Sequence, residues 1–88
     1  MYEEKVVLEN EAGLHARPAS LFIQRASEYK SNINIIKDST RCNGKSIISV
    51  LSLGAKKGVE ITIRGDGVDE KEAVISLVKL VKTGFGEK

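Results

Sequence analysis

Gly13-Leu14-His15-Ala16-Arg17-Pro18 is the stretch from which the rest of the chain can be read. It contains the only histidine and the only proline of the sequence. After it, apolar residues recur at Ala16, Ala19, Phe22, Ile23, Ala26 and Tyr29. That i, i+3, i+4, i+7 spacing predicts an amphipathic helix over about residues 16 to 28. Pro18 then lies in the first turn, where its missing N–H costs nothing. Because proline disfavours helical dihedrals at the residue before it, a slightly irregular start is expected at Arg17. His15 falls at or just before the N-cap, on the exposed end.

One imidazole, one guanidinium and one helix start in four positions suit a site that takes up and releases a phosphoryl group. An imidazole has an unperturbed pKa of about 6.5, so near neutral pH much of it is unprotonated and nucleophilic. Attack on phosphorus forms a covalent phosphohistidine and divides one transfer into two. The arriving group carries about two negative charges. The first backbone N–H groups of a helix have no intrahelical partner, and with the helix dipole they attract an anion. Arg17 adds a planar fork that matches phosphate oxygens. Charge-assisted bonds of roughly 1.5–3 kcal/mol each can hold such a group without trapping it. A lone histidine is more often an ordinary residue. The neighbouring Gly13, Arg17 and Pro18 are what favour the chemical role.

Working outward, residues 2 to 9 predict a strand, with Val6 and Leu8 on one face and Lys5, Val7 and Glu9 on the other. Residues 32 to 37 predict a second strand, with Ile33 and Ile35 inward. A turn at Lys37 to Thr40 returns the chain through a short strand at Arg41-Cys42-Asn43, with Cys42 toward the core. Ser46 opens a short helix over about residues 47 to 52 as its N-cap, and Gly54 ends it. Ile47, Ile48 and Leu51 are either core or a partly exposed docking patch. Residues 60 to 66 predict the last strand, with Ile61 and Ile63 inward. Asp69, with Glu72 three positions on, predicts a capped start to the last helix. Its buried stripe is Ala73, Val74, Leu77, Val78 and Val81, and Gly84 ends it. The order is β-α-β-β-α-β-α. Amphipathic strands with one apolar face and helices with one stripe make a two-layer α+β open-faced sandwich.

Composition narrows the function. The 88 residues predict a single domain, residues 1–88. A net charge of +2 argues against a nucleic-acid binder, which needs a strong basic patch or exposed aromatics, and only two Phe and two Tyr are present. The single Cys42 excludes an internal disulfide and fits a reducing cytoplasm. No signal peptide and no membrane span are expected. The glycines form no P-loop or dinucleotide fingerprint, so no cofactor is expected. With one His and one Cys, no metal site is expected either.

Gly13 to Ala19 resembles the active-site motif of the HPr family, the histidine-containing phosphocarriers of the bacterial sugar phosphotransferase system. Lys45-Ser46-Ile47-Ile48-Ser49-Val50-Leu51-Ser52-Leu53-Gly54 resembles that family's regulatory serine segment. The two blocks stand at the family's separation, and the resemblance covers essentially the whole chain. It implies a four-stranded antiparallel sheet of order 1-4-2-3, covered on one face by three helices. It implies a carrier and not an enzyme: His15 accepts the group at Nδ1 from phosphorylated enzyme I, itself charged by phosphoenolpyruvate. Arg17 stabilises the phosphate, and a sugar-specific enzyme IIA takes the group. It implies that Ser46, on spacing alone a helix cap, is a phosphorylation site for an HPr kinase/phosphorylase. Phosphorylation there changes the preference between enzyme I and a catabolite-control transcription regulator. It assigns Ile47 and Leu51 to partner docking and leaves Ile48 open. A cytoplasmic monomer is expected. The alternative is a regulatory paralogue that acts through Ser46. The retained His15 and Arg17 count against it. Ile47, Ile48 and Leu51 stand where relatives often carry Met, and Ser49 where Gly is common.

Overall fold

The computed structural model describes residues 1–86. The chain runs β1 (Tyr2–Val7), α1 (Ala16–Ala26), β2 (Asn32–Lys37), β3 (Thr40–Asn43), α2 (Ile47–Ser52), β4 (Glu60–Asp66) and α3 (Glu70–Lys82), followed by a 3-10 turn at Gly84–Gly86. The strands form one antiparallel sheet in the order β1-β4-β2-β3. Register follows from the alternation of side chains. Val6 stands opposite Ile61, and Ile63 stands opposite Ile35, which gathers the apolar residues of three strands on one face. Against that face lie Phe22, Ala19 and Ala26 of α1 and the predicted stripe of α3, all buried. Each fully buried Leu, Ile or Phe contributes about 1.5–3 kcal/mol, so this layer holds the helices on the sheet. Gly65 permits the close seating of α3 on β4: a Cβ there would lie 3.0 Å from Val74 Cγ2 and 3.1 Å from the Glu70 carbonyl. The other sheet face is open to solvent and is laced by pairs such as Arg64 Nε donating to Glu3 Oε1 at 2.7 Å.

The ends of β1 and α1, the buried face of α1 and the capping of α3 differ from expectation. β1 stops at Val7, not at residue 9. Leu8 stays buried, but its N–H donates to the Val59 carbonyl and its carbonyl accepts from Gly58, in the loop before β4. The alternation therefore outlasts the regular ladder. α1 ends at Ala26, not 28, because Glu28 and Tyr29 turn tightly onto the carbonyls of Arg25 and Ala26. Its buried face is Pro18, Ala19, Phe22 and Ala26, with Ala16 exposed. Asp69 makes no capping bond to its own helix. Its carboxylate instead accepts from the N–H groups of Lys30 and Ser31 and from the Ser31 hydroxyl. Glu70, not Glu72, reaches back, its Oε1 accepting from the Gly67 N–H at 3.1 Å. Cys42 is half-buried against the core on edge strand β3, and burial raises its thiol pKa.

Candidate functional site

His15 is the N-cap residue of α1, in extended backbone at φ −81° and ψ −175°. Its carbonyl accepts from the Ala19 N–H at 2.8 Å, which is the first bond of the helix. Its imidazole makes no capping bond and is exposed. The ring is thus available for chemistry, and the first amides of α1 have no intrahelical acceptor. Arg17 is exposed in the same first turn, which contains no acidic residue to oppose an anion. The structure therefore brings the two predicted residues to one helix end.

The segment before His15 is fixed from two sides. Residues 10 to 13 form a closed turn, in which the Gly13 N–H donates to the Asn10 carbonyl at 3.1 Å. The Asn10 side chain donates from Nδ2 to the Gly13 carbonyl at 2.9 Å, and Asn10 is only 6% exposed. From the other side comes the loop that leaves α2. The Leu14 N–H donates to the Ala55 carbonyl at 2.9 Å, and Leu14 is buried beneath His15. Gly13 has a left-handed φ of +61°, and a Cβ there would stand 2.5 Å from the Ala55 oxygen. Lys57 of the same loop donates to Glu11 Oε1 at 2.7 Å, and this ammonium holds the Glu11 carboxyl below its ordinary pKa.

Ser46 is the N-cap of α2, and its Oγ accepts from the Ser49 N–H at 3.4 Å, a long bond. Val50 and Leu53 are the residues that anchor this segment in the core. Ile47, Ile48 and Leu51 are 39%, 74% and 40% exposed, so all three form an outer patch and none is a core residue. α2 packs on α1, and its exit loop carries Ala55. The helix that bears the patch thus packs against the helix that His15 caps. The open sheet face has a shallow groove between Lys5, Ile36 and Thr62, which holds none of these residues.

Sequence reasoning missed Asn10 and Ala55. Asn10 had a local signal, since Asn readily starts a turn that closes on a Gly. Ala55 acts through its carbonyl, for which no side-chain signal exists. Among the described residues no three His, Cys, Asp or Glu side chains could jointly hold a metal ion, and no helix is long and apolar enough to cross a membrane.

Comparison with known proteins now decides the family. Residues 2–83 match the family model of the PTS HPr component phosphorylation site, a span that contains both His15 and Ser46. The chain belongs to the HPr family. It is similar to the phosphocarrier protein HPr of Neisseria meningitidis, at 41% identity over 99% of this chain and 98% of that one. Among solved structures, HPr of Thermoanaerobacter tengcongensis superposes with a TM-score of 0.97 at 43% identity, covering 100% of this chain and 99% of that one. Crh, the Bacillus subtilis catabolite repression protein, superposes with a TM-score of 0.78 at 38% identity over 96% of this chain and 97% of that one; its crystal structure is a dimer with a swapped domain. The open-faced α+β sandwich is accordingly the HPr fold, and the strand order agrees with the one the resemblance implied.

Proposed function

We propose that this chain carries a phosphoryl group on His15 between phosphorylated enzyme I and a sugar-specific enzyme IIA. The observation that carries this reading is an exposed N-cap imidazole, uncommitted to capping, beside Arg17 at the start of α1. Nδ1 of His15 attacks phosphorus as the donor's bond to phosphorus breaks, and the electron pair of that bond leaves with the donor. The first amides of α1 and the Arg17 guanidinium take up the charge of the transferred group. The second transfer reverses these roles toward enzyme IIA. The chain is a carrier that needs both partners, not a catalyst with a substrate pocket, and it needs no cofactor.

Ile47, Ile48 and Leu51 supply an apolar docking surface next to the site, and Ser46 at its edge is the regulatory phosphorylation site for an HPr kinase/phosphorylase. The phosphoserine form favours a catabolite-control transcription regulator over enzyme I. Residues 1–88 act as one cytoplasmic HPr-like domain, as a monomer. Likeness to Crh favours a second reading, a regulatory protein working through Ser46 alone. Possession of both His15 and Arg17 favours the carrier. The test is incubation with enzyme I and phosphoenolpyruvate, followed by mass spectrometry at neutral and acid pH. One acid-labile phosphoryl group is expected on the wild type and none on His15→Ala. Undiminished labelling of that variant removes His15 from the reaction.

A further inference from the structure

Asn10 precedes α1 in the chain, and it is a buried polar side chain that closes the turn leading into His15. Its Nδ2 donates to the Gly13 carbonyl at 2.9 Å, and its own carbonyl accepts the Gly13 N–H at 3.1 Å. Gly13 is thereby held at both its N–H and its carbonyl, in a left-handed conformation, at φ +61°. The next residue, Leu14, is buried and bonded to Ala55. His15 follows with fixed dihedrals.

We infer that Asn10 is the positioning residue for His15, setting the direction in which the imidazole leaves the start of α1. The inference rests on the phosphocarrier reading for its kinetic consequence, though not for its structural one. The reasoning is geometric. A nucleophile exposed at a helix start has no wall of its own to orient it, so its direction is inherited from the backbone that delivers it. That backbone comes out of a turn clasped by the Asn10 amide. The Leu14 N–H, donating to the Ala55 carbonyl, holds one edge of the peptide that joins Gly13 to Leu14. The Asn10 amide holds the opposite edge, at the Gly13 carbonyl, so the plane that delivers His15 is clasped from both sides. A carboxylate in the same place accepts only, and faces the Gly13 carbonyl oxygen with a charge and no donor. Asn10→Asp is therefore nearly isosteric but loses the clasp. Asn10→Ala loses it without added charge.

The experiment compares these two variants with Asp69→Asn, which weakens the Ser31–Asp69 clasp by removing its charge, beyond the far end of α1, about 16 Å of helix away. Enzyme I and phosphoenolpyruvate supply the phosphoryl group, and single-turnover rates are measured over a range of carrier concentrations. Both Asn10 variants are expected to transfer roughly 10- to 100-fold more slowly at saturation, with the concentration for half-maximal rate unchanged, since the α2 patch is intact. Asp69→Asn is expected to lose thermal stability and keep the wild-type rate. A second readout needs no transfer: the His15 ring resonances in NMR spectra of the unphosphorylated proteins should move in both Asn10 variants and stay in place in Asp69→Asn. Wild-type rates and unmoved ring resonances in folded Asn10→Ala overturn the inference. So does an equal loss of rate in Asp69→Asn, which makes the effect one of general stability. If the wild type itself takes up no phosphoryl group, the phosphocarrier reading fails, and the ring resonances alone decide the role of Asn10.

Discussion

Gly13 has no room for a side chain. A Cβ there meets the Ala55 oxygen at 2.5 Å and Lys56 Cα at 2.7 Å, both backbone atoms that cannot swing aside. The left-handed conformation alone costs an L-residue about 1–2 kcal/mol. With the clash added, Gly13→Ala should lose about 2–4 kcal/mol, within the range set by strain at special dihedrals. Urea unfolding measures it, and a loss under about 0.5 kcal/mol means that the two loops are not in contact in solution. Arg17 is the contrary case. It is exposed, so Arg17→Ala should unfold within about 0.5 kcal/mol of wild type. Its loss should slow phosphoryl transfer from enzyme I about 10- to 100-fold, because one preorganised donor for the transferring group is gone. An unchanged transfer rate, with unchanged far-UV circular dichroism, takes Arg17 out of the mechanism.

At the scale of elements, α2 shows how a six-residue helix divides its work. Val50 and Leu53 hold it, so the remaining apolar side chains must face out. The Ser46 cap is long at 3.4 Å, and Ser46→Ala should cost only about 0.5 kcal/mol, the lower end for an N-cap. A serine that contributes little to folding can be modified with little harm to the helix. Phosphate there places charge beside Ile47 and Leu51, which a partner must cover, and desolvating it or opposing a carboxylate lowers affinity. A tenfold weaker apparent affinity for enzyme I is expected for the phosphoserine protein, about 1.4 kcal/mol. Ser46→Asp should act in the same direction and less. Steady-state His15 phosphorylation at varied carrier concentration measures both, and equal affinities reduce Ser46 to a cap. The sequence made α2 and α1 legible because their apolar spacing, Pro18 and Ser46 are local signals. What was not legible is non-local. The Asp69-x-x-Glu72 spacing reads as a capping box, but Ser31 and Lys30, far away in sequence, take that carboxylate first. Likewise His15 and Arg17 announced the candidate site, whereas the Ala55 carbonyl that anchors its approach carries no residue type to read.

For the whole molecule, the Ser31–Asp69 clasp joins the loop between α1 and β2 to the loop between β4 and α3, and so closes the helical layer at the end away from His15. Ser31 is 1% exposed, and the Asp69 N–H donates in return to its hydroxyl at 3.2 Å. The Ser31 hydroxyl first, and then the Lys30 and Ser31 amides, stabilise the Asp69 carboxylate and lower its pKa to about 2. An unfolded aspartate titrates near 3.9. The folded pKa lies below the unfolded one, so the unfolded chain binds the proton more readily. The clasp's charged contribution is therefore complete above pH of about 4, and it drains away as pH falls from there to about 2. Glu11 and Glu70 are also lowered and act with the same sign, although exposed ion pairs contribute little. Asp69→Asn keeps the shape and one acceptor but not the charge. At neutral pH it should unfold at a lower urea concentration than wild type, and the two midpoints should converge between pH of about 4 and 2. The slope of the transition should stay the same, because the clasp does not change how much surface unfolding exposes. A difference that persists undiminished at pH of about 2 assigns the clasp to neutral hydrogen bonding. In that event the acid sensitivity of the fold must come from other carboxylates.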